Sequence, residues 1–74
     1  MPTLLKNTIC QRIQDMRKKH QYTQTQVADW LHMSQNAYSE LESGKRRLDI
    51  ERLYEIAALF NVTVHYLLSE PQDN

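Results

Sequence analysis

A chain of 74 residues with one glycine and two prolines offers very few places where a helix must stop. Gly44 is the single glycine, and Pro2 and Pro71 stand near the two ends. Because these two residue types are the strongest local breakers of helical structure, helix is the default for this chain. The apolar pattern agrees. Leu5, Ile9, Ile13 and Met16 recur at steps of four, four and three, the spacing of one helical face. They predict a first helix from about residue 4–7 to Lys19. Its last turn, Arg17-Lys18-Lys19, is cationic and suits the negative pole of the helix dipole.

Capping residues divide the rest. Thr23 with Gln26 three positions later has the form of a capping box, in which each side chain satisfies the other's free backbone N–H. A second helix follows over about 24–31, with Val27, Ala28 and Leu31 as its short apolar face. Leu31-His32-Met33 leads to a second cap at Ser34, and the third helix runs from about Gln35 to Ser43, burying Tyr38 and Leu41. Gly44 ends it as a left-handed residue would. Asp49 caps a fourth helix, whose Ile50, Leu53, Ala57 and Phe60 step by three, four and three to about Asn61. Thr63 caps a last short helix carrying Tyr66, Leu67 and Leu68. The expectation is an all-α, compact five-helix bundle forming a single domain over residues 1–69, with a polar tail at 70–74 that has nothing to bury.

At this length one compact unit is expected, without a separate sensing or catalytic domain. A composition 41% hydrophobic and 24% charged fits a soluble domain with a modest core. Burial alone leaves so small a domain marginal, which makes pairing with a second copy plausible. Cys10, the one cysteine, cannot form an internal disulfide; it suits a reducing compartment and reads as a half-buried apolar residue. No signal-like or membrane-length apolar run is present, so the expected location is the cytoplasm, with no membrane partner. There is no glycine-rich phosphate loop, nucleophile motif or set-apart carboxylate pair, and His20, His32 and His65 are too dispersed to pair as metal ligands. No enzymatic activity, metal or cofactor is expected.

Net charge is zero, which taken alone argues against nucleic acid. The distribution along the chain says more. Residues 1–20 carry +4 (Lys6, Arg12, Arg17, Lys18 and Lys19 against Asp15), and 45–47 carry +3 (Lys45, Arg46, Arg47). Residues 21–44 carry −3 (Asp29, Glu40, Glu42), and 48–74 carry −4 (Arg52 against Asp49, Glu51, Glu55, Glu70, Asp73). The two basic clusters flank the second and third helices.

Three segments resemble the phage repressor and Cro-like helix-turn-helix domains, also called the XRE type, whose fold is that of the lambda repressor DNA-binding domain. They are Tyr-Thr-Gln-x-x-Val-Ala-x-x-Leu at 22–31, Met-Ser-Gln-Asn-Ala-Tyr-Ser-x-Leu-Glu-Ser-Gly-Lys-Arg at 33–46, and Leu-x-x-Ile-Ala-x-x-Phe-Asn-Val at 53–62. The resemblance spans about Ile13 to Leu68, three-quarters of the chain. It implies a transcriptional regulator, most simply a repressor, that binds double-stranded operator DNA with the third helix in the major groove. Gln35, Asn36, Ser39 and Glu40 would then face the bases. Gln and Asn amides pair bidentately with adenine, and a carboxylate accepts from cytosine N4. Gln24, Ser43, Lys45 and Arg46 match positions that contact the sugar-phosphate backbone in relatives. Ser34, Arg47 and Arg17 are added to that set. A homodimer would read half-sites roughly 34–36 Å apart.

The resemblance also implies an ion pair between Arg17 and Glu42, with Glu42 structural. His32 stands where the family has glycine in the turn, so a strained left-handed residue is expected there. Trp30 replaces a polar residue; it contacts either a partner or second subunit, or packs against the first helix. For the dimer surface the candidates are Phe60, Val62, Tyr66 and Leu68. A rival reading makes the chain an antitoxin-like module that neutralises a protein partner through Trp30 and its acidic half, using the DNA-binding domain for autoregulation.

Overall fold

The computed structural model describes residues 3–69, with side chains from Leu5 onward. Five helices follow in order: α1 (Thr3–Lys19), α2 (Gln24–Trp30), α3 (Gln35–Ser43), α4 (Ile50–Phe60) and α5 (Val64–Leu68). There is no strand among the described residues. The first helix starts earlier than its apolar pattern indicates. The second ends one residue sooner, because Leu31 already acts as its C-cap. The tail expected at 70–74 lies outside the described residues.

The four cap residues named from sequence all perform that role. Thr23 Oγ1 accepts from Gln26 N–H at 3.1 Å while Gln26 Oε1 accepts from Thr23 N–H at 2.8 Å, closing the capping box. Ser34 Oγ accepts from Ala37 N–H at 3.0 Å, Asp49 Oδ1 from Arg52 N–H at 2.8 Å, and Thr63 Oγ1 from Tyr66 N–H at 2.9 Å.

The other ends share one device. Past each of α1–α4 a left-handed residue turns the chain: Gln21 (φ 60°), His32 (φ 58°), Gly44 (φ 81°) and Asn61 (φ 58°). In each case the next residue donates its N–H back five positions, as in Tyr22 to Arg17 O, Met33 to Ala28 O, Lys45 to Glu40 O and Val62 to Ala57 O. This is the Schellman arrangement, which satisfies carbonyls that have no partner in the helix. Only one of the four positions is glycine, so Gln21, His32 and Asn61 accept the steric cost of a β-carbon in that region.

The core draws on every helix: Ile9, Ile13 and Met16; Val27, Ala28 and Leu31; Tyr38 and Leu41; Leu53, Ile56, Ala57 and Phe60; Leu67. Several expectations are corrected here. Ile50, assigned to the apolar face of α4, is 60% exposed, because it begins the helix before α4 reaches the core. Ile56, quoted in the 53–62 motif but not assigned to that apolar face, is fully buried instead. Cys10 is buried, not half-buried. Burial pushes the Cys10 thiol up, as expected of a thiol used as an apolar filler.

Arginines fasten the helix ends together. Arg52 on α4 donates to Leu31 O at the end of α2 (2.9 Å), and Arg12 on α1 donates to Tyr66 O (2.7 Å) and to Ser69 at the end of α5. The Arg12 guanidinium also lies over the Tyr66 ring, 5.2 Å from its centroid. Two of the positive charges counted in the N-terminal cluster, Arg12 and Arg17, are therefore turned into the scaffold, while Lys18 and Lys19 stay exposed.

Candidate nucleic-acid interface

Short α2 and α3, joined through His32 and Ser34, put the start of α3 at the surface. Gln35 and Asn36 are exposed, Ser39 and Glu40 half-exposed, and Ser43 exposed on the last turn. Tyr38 and Leu41 on the opposite side of α3 are almost wholly buried and fix its rotation. Lys45, Arg46 and Arg47 follow on an exposed loop. The polar face of α3 and the basic loop are thus presented together, one forming the middle of the surface and the other its end.

Behind this face runs a chain of hydrogen bonds that sequence spacing does not show. Gln35 Nε2 donates to Gln24 Oε1 at 2.8 Å. Gln24 Nε2 donates to Glu42 Oε1 at 3.1 Å. Glu42 in turn takes Arg17 Nε on Oε2 at 2.6 Å and Arg17 Nη2 on Oε1 at 3.2 Å, while Arg17 Nη1 donates to Tyr22 O at 3.0 Å. The ion pair implied by the family resemblance is present and bidentate. Side-chain exposure of 12% for Arg17 and 2% for Glu42 places it inside the protein.

The electrostatics follow from that burial. Burial alone would raise the Glu42 carboxyl, but contacts from Arg17, Tyr38 and Gln24 outweigh it and hold the group below its ordinary value. The Glu42 hydrogen bond likewise raises Arg17. Burial pushes the Tyr38 phenol up, and the charge of Glu42 acts in the same direction. The Tyr38 hydroxyl makes no hydrogen bond of ordinary length among the described residues, although it lies near enough to feel both members of the pair.

The expected site residues divide by position. Gln35, Gln24 and Arg17 form one connected system, with Gln24 half-buried and tied to Gln35. Glu40 and Arg46 face each other as an ion pair at 3.1 Å, both more than 40% exposed. Ser43 Oγ donates to Glu40 O at 3.1 Å, and Ser34 serves as the cap of α3. Asn36, Lys45 and Arg47 make no side-chain hydrogen bond or ion pair with the described residues.

Trp30 is 49% exposed and sits edge-on to Tyr22 in the turn between α1 and α2, ring centroids 4.8 Å apart. Tyr22 also stacks on His20 (5.3 Å) and Phe60 (6.3 Å). Phe60 is 2% exposed within one chain, which removes it from any dimer surface; among the described residues the exposed large apolar groups are Trp30, Ile50, Tyr54 and Tyr66.

Two capped short helices, a tight left-handed turn between them and an exposed polar second helix define a helix-turn-helix domain. Residues 13–67 match the helix-turn-helix family, and the chain belongs to that family, in its XRE type. Its relatives include the uncharacterized HTH-type transcriptional regulator YobD of Bacillus subtilis, 30% identical over 64 residues (86% of this chain, 57% of that protein). The HTH-type transcriptional activator BcrR of Enterococcus faecalis is 39% identical over 59 residues (80% and 29%). The competence pilus inhibition repressor of Acinetobacter baylyi is 38% identical over 61 residues (80% and 56%). The chain spans between 29% and 57% of the length of these relatives. No solved structure matches it significantly. No helix among the described residues is long and apolar enough to cross a membrane.

Proposed function

We propose that this chain is a non-enzymatic, sequence-specific DNA-binding regulator of transcription that reads the major groove with the exposed face of α3. The observation that carries the reading is the hydrogen-bond chain from Gln35 through Gln24 and Glu42 to Arg17. With one N–H of Gln35 given to Gln24, its second N–H and its Oε1 remain free. These are the donor and acceptor that a bidentate pair with adenine N7 and N6 requires. The amide is oriented before DNA arrives, so little side-chain freedom remains to be lost on binding. Asn36 stands beside it as a second amide reader. Glu40 reaches cytosine N4 once Arg46 transfers from its carboxylate to a phosphate, and Lys45, Arg47, Ser34, Ser43 and Gln24 complete the backbone contacts. Arg17 acts mainly through Glu42, holding the frame on which Gln24 and Gln35 rest.

The simplest regulatory action is repression by occupancy, since covering a promoter requires no contact beyond the DNA-bound domain. Binding as a dimer fits a small domain with four exposed large apolar side chains among the described residues. The outer face of α4, where Ile50 and Tyr54 are one turn apart, takes the place of Phe60 in that surface, beside the exposed Tyr66 of α5. Cytoplasmic location follows from a target in the chromosome.

Fluorescence anisotropy against a duplex selected from a random library tests the reading. Expected is binding at least about 10³-fold tighter than to scrambled DNA, with log Kd rising steeply with log salt because the basic loop displaces counterions from the DNA. Equal affinity for both duplexes would overturn it. Sedimentation with a palindromic duplex should show two chains per duplex; a single bound chain sinks the dimer.

A further inference from the structure

Asn7, Gln11 and Gln14 recur along α1 at steps of four and three, which puts three neutral amides on one helical face. They line one wall of an open groove of about 430 Å³, whose other wall is Ser39 and Ser43 of α3, with Gln24 also lining it. Asn7 Oδ1 stands 3.7 Å from where a β-carbon on Gly44 would sit, so this part of α1 lies against the C-terminal end of α3. Lys18, four residues beyond Gln14 and exposed, continues the same face. Gln11 Nε2 donates to Asp15 Oδ1 (2.9 Å) and Gln14 Oε1 (3.3 Å). The amide nitrogens of Asn7 and Gln14 donate to no acceptor among the described residues.

We propose that this groove seats the sugar-phosphate backbone of one DNA strand, with Asn7 and Gln14 donating to its phosphate oxygens. The footprint then extends from the helix-turn-helix onto α1. The inference rests on the reading of α3 given above. A helix with its side chains is about 10–12 Å across and a major groove about 12 Å wide, so an inserted α3 has phosphates running close along its flanks. The open space on the α1 flank is this groove, and Gln24, Ser39 and Ser43 belong both to it and to the DNA-facing set. Uncharged amides and hydroxyls are ordinary phosphate donors. Glu42 is the one carboxylate in the lining, and its charge is held by Arg17 and Gln24 and nearly sealed from solvent. Asp15, the nearest carboxylate along α1, is engaged by Gln11 and lines an adjoining hollow beside Arg12, on the far side of Asn7 and Gln11 from α3.

The deciding experiment titrates the full chain, its Gln14→Lys variant and an Asn7→Ala/Gln14→Ala double variant against the selected and scrambled duplexes. Salt is varied from about 50 to 200 mM. Gln14→Lys should steepen the dependence of log Kd on log salt by about 0.9, the increment of one added phosphate contact, and tighten binding to both duplexes at low salt. The double alanine variant should weaken both by roughly five-fold or more, on the order of one lost hydrogen bond or two, with the slope unchanged because no charge is removed. If the wild-type chain selects a duplex but Gln14→Lys changes neither slope nor affinity, the groove does not hold a strand and the α3 reading survives. If the wild-type chain selects no duplex, both readings fall. Should the double variant melt below the assay temperature, the lysine variant still decides.

Discussion

Replacing Glu42 with glutamine keeps the shape of the side chain and removes its charge, which isolates what the buried pair contributes. In the wild-type chain the carboxylate accepts two bonds from Arg17 and one from Gln24. A glutamine at 42 retains one oxygen and turns an NH2 group toward donors, leaving the buried Arg17 charge without a counter-ion and with one of its two Glu42 bonds replaced by a donor–donor clash. Breaking a buried ion pair by removing one member costs about 3–5 kcal/mol. A domain of this length has a total stability of roughly 4–11 kcal/mol, so Glu42→Gln should remove a large part of it. With about 4–8 °C of Tm per kcal/mol at this size, the expected drop is on the order of 20 °C. Thermal melts followed by circular dichroism at neutral pH measure it. An Arg17→Met/Glu42→Met double variant should be far more stable than the sum of its single losses, because both charges leave together. A Glu42→Gln melt within about 1 kcal/mol of wild type would refute the argument.

The same pair sets an acid dependence. Because the folded value of Glu42 lies below its ordinary 4.5, the stabilisation is fully present above that pH and is lost as pH falls through the folded value. Melts across this window should show wild type weakening more steeply than Glu42→Gln. His32→Gly should raise stability by roughly 0.5–1 kcal/mol, as relief of the left-handed strain at φ 58° outweighs glycine's entropy; a lower Tm would contradict this. Gly44→Ala should cost about 1–2 kcal/mol through backbone strain alone, since the added carbon meets only Asn7 at 3.7 Å, an ordinary contact. Lys45→Ala should weaken binding to every duplex and lower the salt slope by about 0.9; a sequence-dependent loss would show that Lys45 reads bases.

Much of this fold could be read because its helix starts are written in local chemistry. Thr23, Ser34, Asp49 and Thr63 act within three residues of themselves, and a cap needs no knowledge of the rest of the chain. The turn at His32 was legible through its departure from glycine. Burial was less so: Ile50 fits the helical period, yet a residue at the first position of α4 lies beyond what the neighbouring helices cover, while Ile56 lies beneath them. Phe60 fails as a surface residue for the converse reason, since Tyr22 and His20 fold over it from the turn after α1.

The candidate site divides in the same way. The exposed amides of α3 were expected in place, but the link from Gln35 to Gln24 crosses eleven residues of sequence and exists only because α2 and α3 pack at their N-terminal ends. Charge counting also misjudged Arg12 and Arg17, whose guanidinium groups serve carbonyls and Glu42 within the protein. The α1 amides carried a usable signal, their four-and-three spacing, which apolar patterning passes over.

The most direct test of the account is selection of preferred duplexes from a random library by the wild-type chain and by Gln35→Ala in parallel. If the Gln35 amide is a base reader held ready by Gln24, the variant should keep the same overall site but lose discrimination at one base pair, at a cost of about 1–3 kcal/mol. Recovery of an identical preference at every position, with affinity unchanged, would contradict it.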